Sequence, residues 1–158
     1  MRNLLKNPIW RSLELGYSIP DNKHAVSVAL PTWKDVINYE EKNPKCMELL
    51  KSIYPRFGLN PLVKRLCEKV KKESHLNDLS IWPYPNERIA LKAKKYCDRN
   101  TSKGSTYIER RYNLAFLITR ESASKYARYF WQHTGLGISS RAAAIELGLE
   151  DRPSKSFA

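Results

Sequence analysis

Leu114-Ala115-Phe116-Leu117-Ile118 is an uninterrupted apolar run set between the polar Tyr112-Asn113 and Thr119-Arg120. A run this short, with an aromatic and a β-branched residue, suits a strand covered on both faces. Leu79-Ser80-Ile81-Trp82, ended by Pro83 and Pro85, reads as a second strand beside it. From Glu121, Ala123, Tyr126, Ala127, Phe130 and Trp131 recur on one side of a helical period that stops at Gly135. On the other side of the run, Asn86 caps a helix that turns Ile89, Ala90, Ala93, Tyr96 and Cys97 inward. Arg99 to Ser105 is a polar loop, and the strand region opens at Tyr107. Strand alternating with helix predicts an α/β fold, with α+β as the alternative: a small mixed sheet with flanking helices.

The first half is mainly helical. Asn60-Pro61 starts a helix with Leu62, Val63, Leu66, Cys67 and Val70 in a stripe and Lys64, Lys69, Lys71 and Lys72 opposite. Thr32 with Asp35 predicts a capping box and a helix to about Glu41. Asn43-Pro44 restarts the chain with Met47, Leu50, Ile53 and Tyr54 on one face. Ala25 to Leu30 is short and β-prone, stopped by Pro31. A last helix runs from Ser140 to Leu147, with Gly148 as its stop. The expected organisation is an arm over 1–23, one domain over 24–150 and a tail over 151–158. The arm is extended, with one short helical turn near Leu13.

A hydrophobic fraction of 42% and an aromatic fraction of 11% in 158 residues support a real core and argue against wholesale disorder. No stretch reaches the ~18 uncharged apolar residues of a membrane span. The opening MRNLLKNPIWRSLELGYSIP has no apolar h-region or cleavage site, so a cytoplasmic protein without a secretory signal is expected. Cys46, Cys67 and Cys97 are far apart, form no C-x-x-C, and have none of His24, His75 or His133 clustered with them. No metal site is expected, and reduced, buried thiols are.

The balance of 28 Lys+Arg against 16 Asp+Glu leaves a net charge of +12, a field that attracts anionic partners. The cations lie in runs (Lys64 to Lys72, Lys92 to Lys95, Lys103 to Arg111) that suit solvated helix faces. A basic nucleic-acid-binding module is one reading of this charge, with Trp33, Trp82 and Tyr112 as stacking aromatics. No signature of an RNA-recognition, KH or helix-turn-helix module accompanies it.

Three other segments carry candidate chemistry. Tyr54-Pro55-Arg56 before Asn60-Pro61 offers a guanidinium and a phenol, donors that suit phosphate. Gly135-Leu136-Gly137-Ile138-Ser139-Ser140-Arg141 follows one helix and opens another, so its amides and hydroxyls suit an anion. A glycine stop followed by a serine cap explains the same residues. His133 suits an acid or base, or the stabilisation of its helix end, which is the reading preferred here. Trp33, Tyr39, Glu40 and Glu41 form the third cluster. Adjacent carboxylates on a helix point about 100° apart. Glu40 and Glu41 are therefore assigned to the surface or to an intersubunit contact rather than to catalysis.

Two longer stretches carry a resemblance. HAVSVALPTWKDVINYEEKNPKCMELLKSIYPRFGLNP, from His24 to Pro61, and FWQHTGLGISSRAA, from Phe130 to Ala144, occur in this order. They resemble the amino-terminal region of the cystathionine gamma-synthases, pyridoxal-phosphate enzymes of the Cys/Met group, in the longer branch of fungi and cyanobacteria. The corresponding family segments read much like HAVSV-LPTW, GYEEG, GYPRFF and FWQHTGEGISSRRAE. The resemblance implies a transferase that joins cysteine to an activated homoserine ester on the way to methionine. It also implies that Tyr54 and Arg56 contact the phosphate of pyridoxal phosphate in a neighbouring subunit. Here Pro55 stands where a small polar residue is common, and one extra residue precedes Asn60. The aldimine-forming lysine in its S-x-T-K setting and the family's Gly-Met-Ala/Ser phosphate turn do not appear. The expectation is a truncated or split member, inactive alone, with no catalytic residue of its own. It would bind the cofactor only with a partner chain, either a core subunit or a full-length paralogue that it regulates. A homo-oligomer is the further option.

Overall fold

The computed structural model describes residues 32–45, 61–102 and 104–153. The elements are α1 (Trp33–Lys42), α2 (Pro61–Glu73), β1 (Ser80–Tyr84), α3 (Glu87–Asn100), β2 (Thr106–Arg111), β3 (Leu114–Thr119), α4 (Glu121–Thr134) and α5 (Ser140–Glu146). The expected arm, the β-prone run at 25–30 and the helix face from Met47 to Tyr54 lie outside the described residues.

β3 is the middle strand of a three-stranded sheet ordered β1-β3-β2. All six of its residues are buried, as a continuous apolar run requires. β1 pairs with it through Ile81↔Ile118 and Trp82↔Leu117, and β2 through Ile108↔Leu117 and Glu109↔Phe116. The α/β reading holds. The expected mixed sheet is corrected: both pairings are antiparallel. Tyr107 to Thr119 folds as a hairpin whose strands meet at Arg111↔Leu114, leaving Tyr112-Asn113 as a two-residue loop. Its sharp reversal needs a left-handed residue, and Tyr112 takes that role at φ 57°.

Side chains alternate across the sheet and sort the helices into two layers. On one face Ser124 of α4 donates to Ser80 at 3.2 Å. Lys94 of α3 reaches Thr106 at 3.2 Å, and Tyr84 packs edge-on against Trp131 of α4 at 5.4 Å. On the other face Ser74, just past α2, donates to Glu109 at 3.2 Å, α2 packs on β1, and α5 lies against α2 and α1. The sheet is thus the middle of three layers.

Helix boundaries follow from their caps. Thr32 accepts from the Asp35 amide at 3.2 Å while Asp35 accepts from the Thr32 amide at 3.0 Å, completing the expected capping box. Asn86 accepts from the Ile89 amide at 3.0 Å. α3 continues to Asn100, two residues into the expected loop. The expected stripe on α2 is buried as read, at Leu62, Val63, Leu66, Cys67 and Val70.

β1 runs through Pro83 to Tyr84, two residues beyond the expected end. Proline is tolerated because β1 is an edge strand and the polar groups of Pro83 face away from β3. Its carbonyl accepts from the Ile138 amide at 3.3 Å, so the segment after α4 lies along that edge.

Candidate functional site

The glycine-rich segment after α4 and the paired carboxylates of α1 meet. α4 ends on Gly135, left-handed at φ 65°. Gly137 is required for space: a Cβ there would stand 2.1 Å from the Trp131 ring. Ile138 is buried, and Ser139 caps α5 by accepting from the Ala142 amide at 3.1 Å. The Ser140 amide, the kind of donor proposed for an external anion, points at Glu40, whose two oxygens lie 3.0 and 3.3 Å away. Arg141 holds Glu41 at 2.7 Å and Glu150 at 3.2 Å. The anion at this turn is therefore a side chain of the chain itself. Its charge meets the amide end of a helical turn, where a negative group is favoured.

The contacts seen for Glu40 and Glu41 are within the chain, with Glu41 exposed as the surface reading expects. Gly135 to Arg141 takes the form of the glycine stop and serine cap, closed by these carboxylates. Trp33 is buried in the core, and Tyr39 supplies the carbonyl that accepts from the Asn43 amide at 3.0 Å. Substituting Glu40→Gln leaves a neutral acceptor in place of a charged one. A loss of about 1 kcal/mol in urea-unfolding free energy is expected. Faster hydrogen exchange at the Ser140 amide should accompany it, and an unchanged exchange rate would show that the contact does not hold α5.

His133 lies in the last turn of α4, exposed, with its ring 4.3 Å from that of Tyr129. That position suits the helix-end role. Cys67 and Cys97 are free and buried, while Cys46 lies outside the described residues. Burial, then the Asp98 charge, pushes the Cys97 thiol up to about 11 against a lowering by Lys94, so it remains protonated near neutrality. Among the described residues no cluster of three or more His, Cys, Asp or Glu side chains gathers for a metal. No described helix is long and apolar enough to cross a membrane.

Two of the three aromatics read as stacking platforms are interior: Trp82 is 1% exposed and donates to Thr119 at 3.1 Å, and Trp33 is 6% exposed. Tyr112 is on the surface, where its hydroxyl donates to Glu73 and its ring faces Lys69. Tyr54 and Arg56, the candidate phosphate contacts, lie outside the described residues.

One feature escaped the sequence reading. Between α3 and α4 is an open cleft of about 300 Å³ lined by Tyr96, Lys125, Tyr126, Arg128, Tyr129 and Gln132. The Tyr96 and Tyr129 rings lie 16° from parallel with centroids 6.0 Å apart, and Tyr126 meets Tyr96 edge-on at 6.4 Å. The signal was present as tyrosines beside basic residues at helical spacing. Only the pairing of the two helices brings them together.

Residues 62–139, from α2 through the cap of α5, match the family described as the fungal trans-sulfuration enzyme, N-terminal domain. The chain carries that amino-terminal domain. A Saccharomyces cerevisiae protein provisionally named a cystathionine gamma-synthase is 35% identical over 157 residues, covering 85% of this chain and 24% of that protein. The cystathionine gamma-synthase of S. cerevisiae is 28% identical, covering 91% of this chain and 26% of its own length. That of Neurospora crassa is 25% identical, covering 86% and 26%. The trans-sulfuration domain thus spans about a quarter of these relatives. No solved structure matches it.

Proposed function

We propose that this trans-sulfuration domain serves as the amino-terminal part of a cystathionine gamma-synthase-type transferase, cytoplasmic and acting in methionine biosynthesis. In that reaction the sulfur of cysteine bonds to the γ-carbon of an activated homoserine ester as the ester oxygen leaves. The observation that supports this is the family match over residues 62–139, the stretch that forms the whole sheet, α3 and α4 on one face of it and, but for Pro61, α2 on the other.

The cofactor of such a reaction is pyridoxal phosphate, which supplies the electron sink for substrate carbanions. The described residues do not fit it. Holding it calls for a lysine, a carboxylate for the pyridine nitrogen and a stacking ring around one enclosed space. The α3/α4 cleft has Lys125 and tyrosines, but it is open and no carboxylate lines it. Cofactor binding is therefore assigned to a partner chain or further polypeptide, with Tyr54 and Arg56 as hydrogen-bond donors to its phosphate. The domain's own task is positional: a rigid three-layer unit that docks on the cofactor-bearing part.

A chimera tests this. The matched quarter of the S. cerevisiae cystathionine gamma-synthase is replaced by this chain, and cystathionine formation is measured. Activity within about tenfold of the native enzyme, a barrier change near 1.4 kcal/mol, is expected. A folded, cofactor-loaded chimera without activity would overturn the proposal.

A further inference from the structure

We infer that the α3/α4 cleft is the docking face for the cofactor-bearing remainder of the transferase, and that it receives an acidic segment of that remainder. This rests on the function proposed above and names the surface that would carry it.

Position is the first ground. α1, α2 and α5 occupy the opposite layer, where Glu40, Glu41 and Glu150 are engaged with Ser140 and Arg141. On the outward surface of α3 and α4, Lys125, Arg128 and Tyr129 are exposed. All six lining residues fall within the segment that matches the family's amino-terminal domain.

The second ground is composition. Tyr129 leaves 54% of its surface in water although it sits among rings that hold it in place: Tyr96 at 6.0 Å and His133 at 4.3 Å. Phe130 supports Tyr96 from below at 5.8 Å. A pre-positioned aromatic loses little conformational freedom on binding, which is why tyrosine and arginine are enriched where interfaces carry their energy.

Charge selects the partner. No carboxylate lines the cleft, and neither Lys125 nor Arg128 has a carboxylate partner among the described residues. Lys92, Lys95 and Arg99 are exposed on the outer side of α3. With a net charge of +12 behind it, this surface fits an acidic segment and repels a basic one. A single-stranded nucleic acid is the weaker fit. Bases need stacking rings, and of the three aromatics read as stacking platforms Trp33 and Trp82 are interior.

The test uses the chimera described above and, alongside it, this chain alone. Carbodiimide, which joins lysine directly to carboxylates, should cross-link Lys125 to an Asp or Glu outside the grafted quarter. The double charge reversal Lys125→Glu/Arg128→Glu should lower the chimera's melting temperature by about 5 °C while moving that of the chain alone by no more than about 1 °C. Tyr129→Ala should act in the same direction. Equal shifts in chimera and chain, or cross-links that map only within the domain, would overturn the docking face while an active chimera left the functional proposal standing. An inactive chimera would remove both. Tight, salt-sensitive binding of an oligo(U) probe that the charge reversal abolished, without the predicted chimera shift, would assign the cleft to nucleic acid and overturn docking.

Discussion

Gly137→Ala is expected to destabilise the domain by about 3 kcal/mol, the upper end for forcing one carbon into a packed site. The added Cβ would stand 2.1 Å from two ring carbons of Trp131 and 2.5 Å from a third. The indole cannot swing clear, because it is 1% exposed and packed edge-on against Tyr84. Moving the backbone instead would pull Ile138 off the Pro83 carbonyl and uncover the edge of β1. A drop of about 10 °C in melting temperature should follow. Gly137 lacks the left-handed φ of Gly135, so the defect is one of space. Trp131→Leu should therefore relieve part of it in the double variant, leaving the pair less destabilised than the sum of the single changes. Strict additivity, or an unshifted melt for Gly137→Ala, would show that the turn can move away from the ring.

Phe116→Ala is expected to have a still larger effect. Phe116 is fully buried at the middle of the central strand, opposite Pro83 on one side and Glu109 on the other. Truncating a buried phenylalanine typically removes about 3–5 kcal/mol, because transfer energy is lost and the cavity collapses only in part. Domains are usually stable by about 5–15 kcal/mol, so the variant should approach or cross the unfolding limit at 25 °C. The measurement is a circular-dichroism melt compared with Phe116→Leu. The leucine variant should keep a cooperative transition close to the wild type, because it retains most of the volume. Matching melts for the alanine variant and wild type would contradict the central position of β3.

Several features are legible in the sequence itself because their causes are local. Leu114 to Ile118 holds five apolar side chains in a row, and a strand with such side chains on both faces has to be covered on both. Thr32 with Asp35, and Asn86 ahead of Ile89, satisfy amides within three residues of themselves. Gly135 and Gly148 end helices because they adopt a left-handed conformation that side chains resist. The two longest resemblances are legible because they are contiguous, and the family match to residues 62–139 takes in Phe130 to Ser139 of the second.

What escaped was whatever depends on neighbours distant in sequence. Pro83 ends a strand by local rule, yet β1 continues through it because the edge position removes the need for its missing donor. Tyr112 carries no turn signature, and its left-handed backbone accompanies a contact to Glu73, 39 residues away. Glu40 and Ser140 are 100 residues apart, so no spacing rule could pair them or show that the turn's anion is internal. The sequence alone determined the strand and helix stripes, the caps and the family, since those are written in nearest-neighbour sterics and periodic burial. The tertiary structure alone decided the antiparallel strand order, the closure of the glycine-rich turn by Glu40 and the assembly of Tyr96, Tyr126 and Tyr129 into one face. Those depend on which surfaces come within contact distance, and that is settled by the packing of residues distant in sequence.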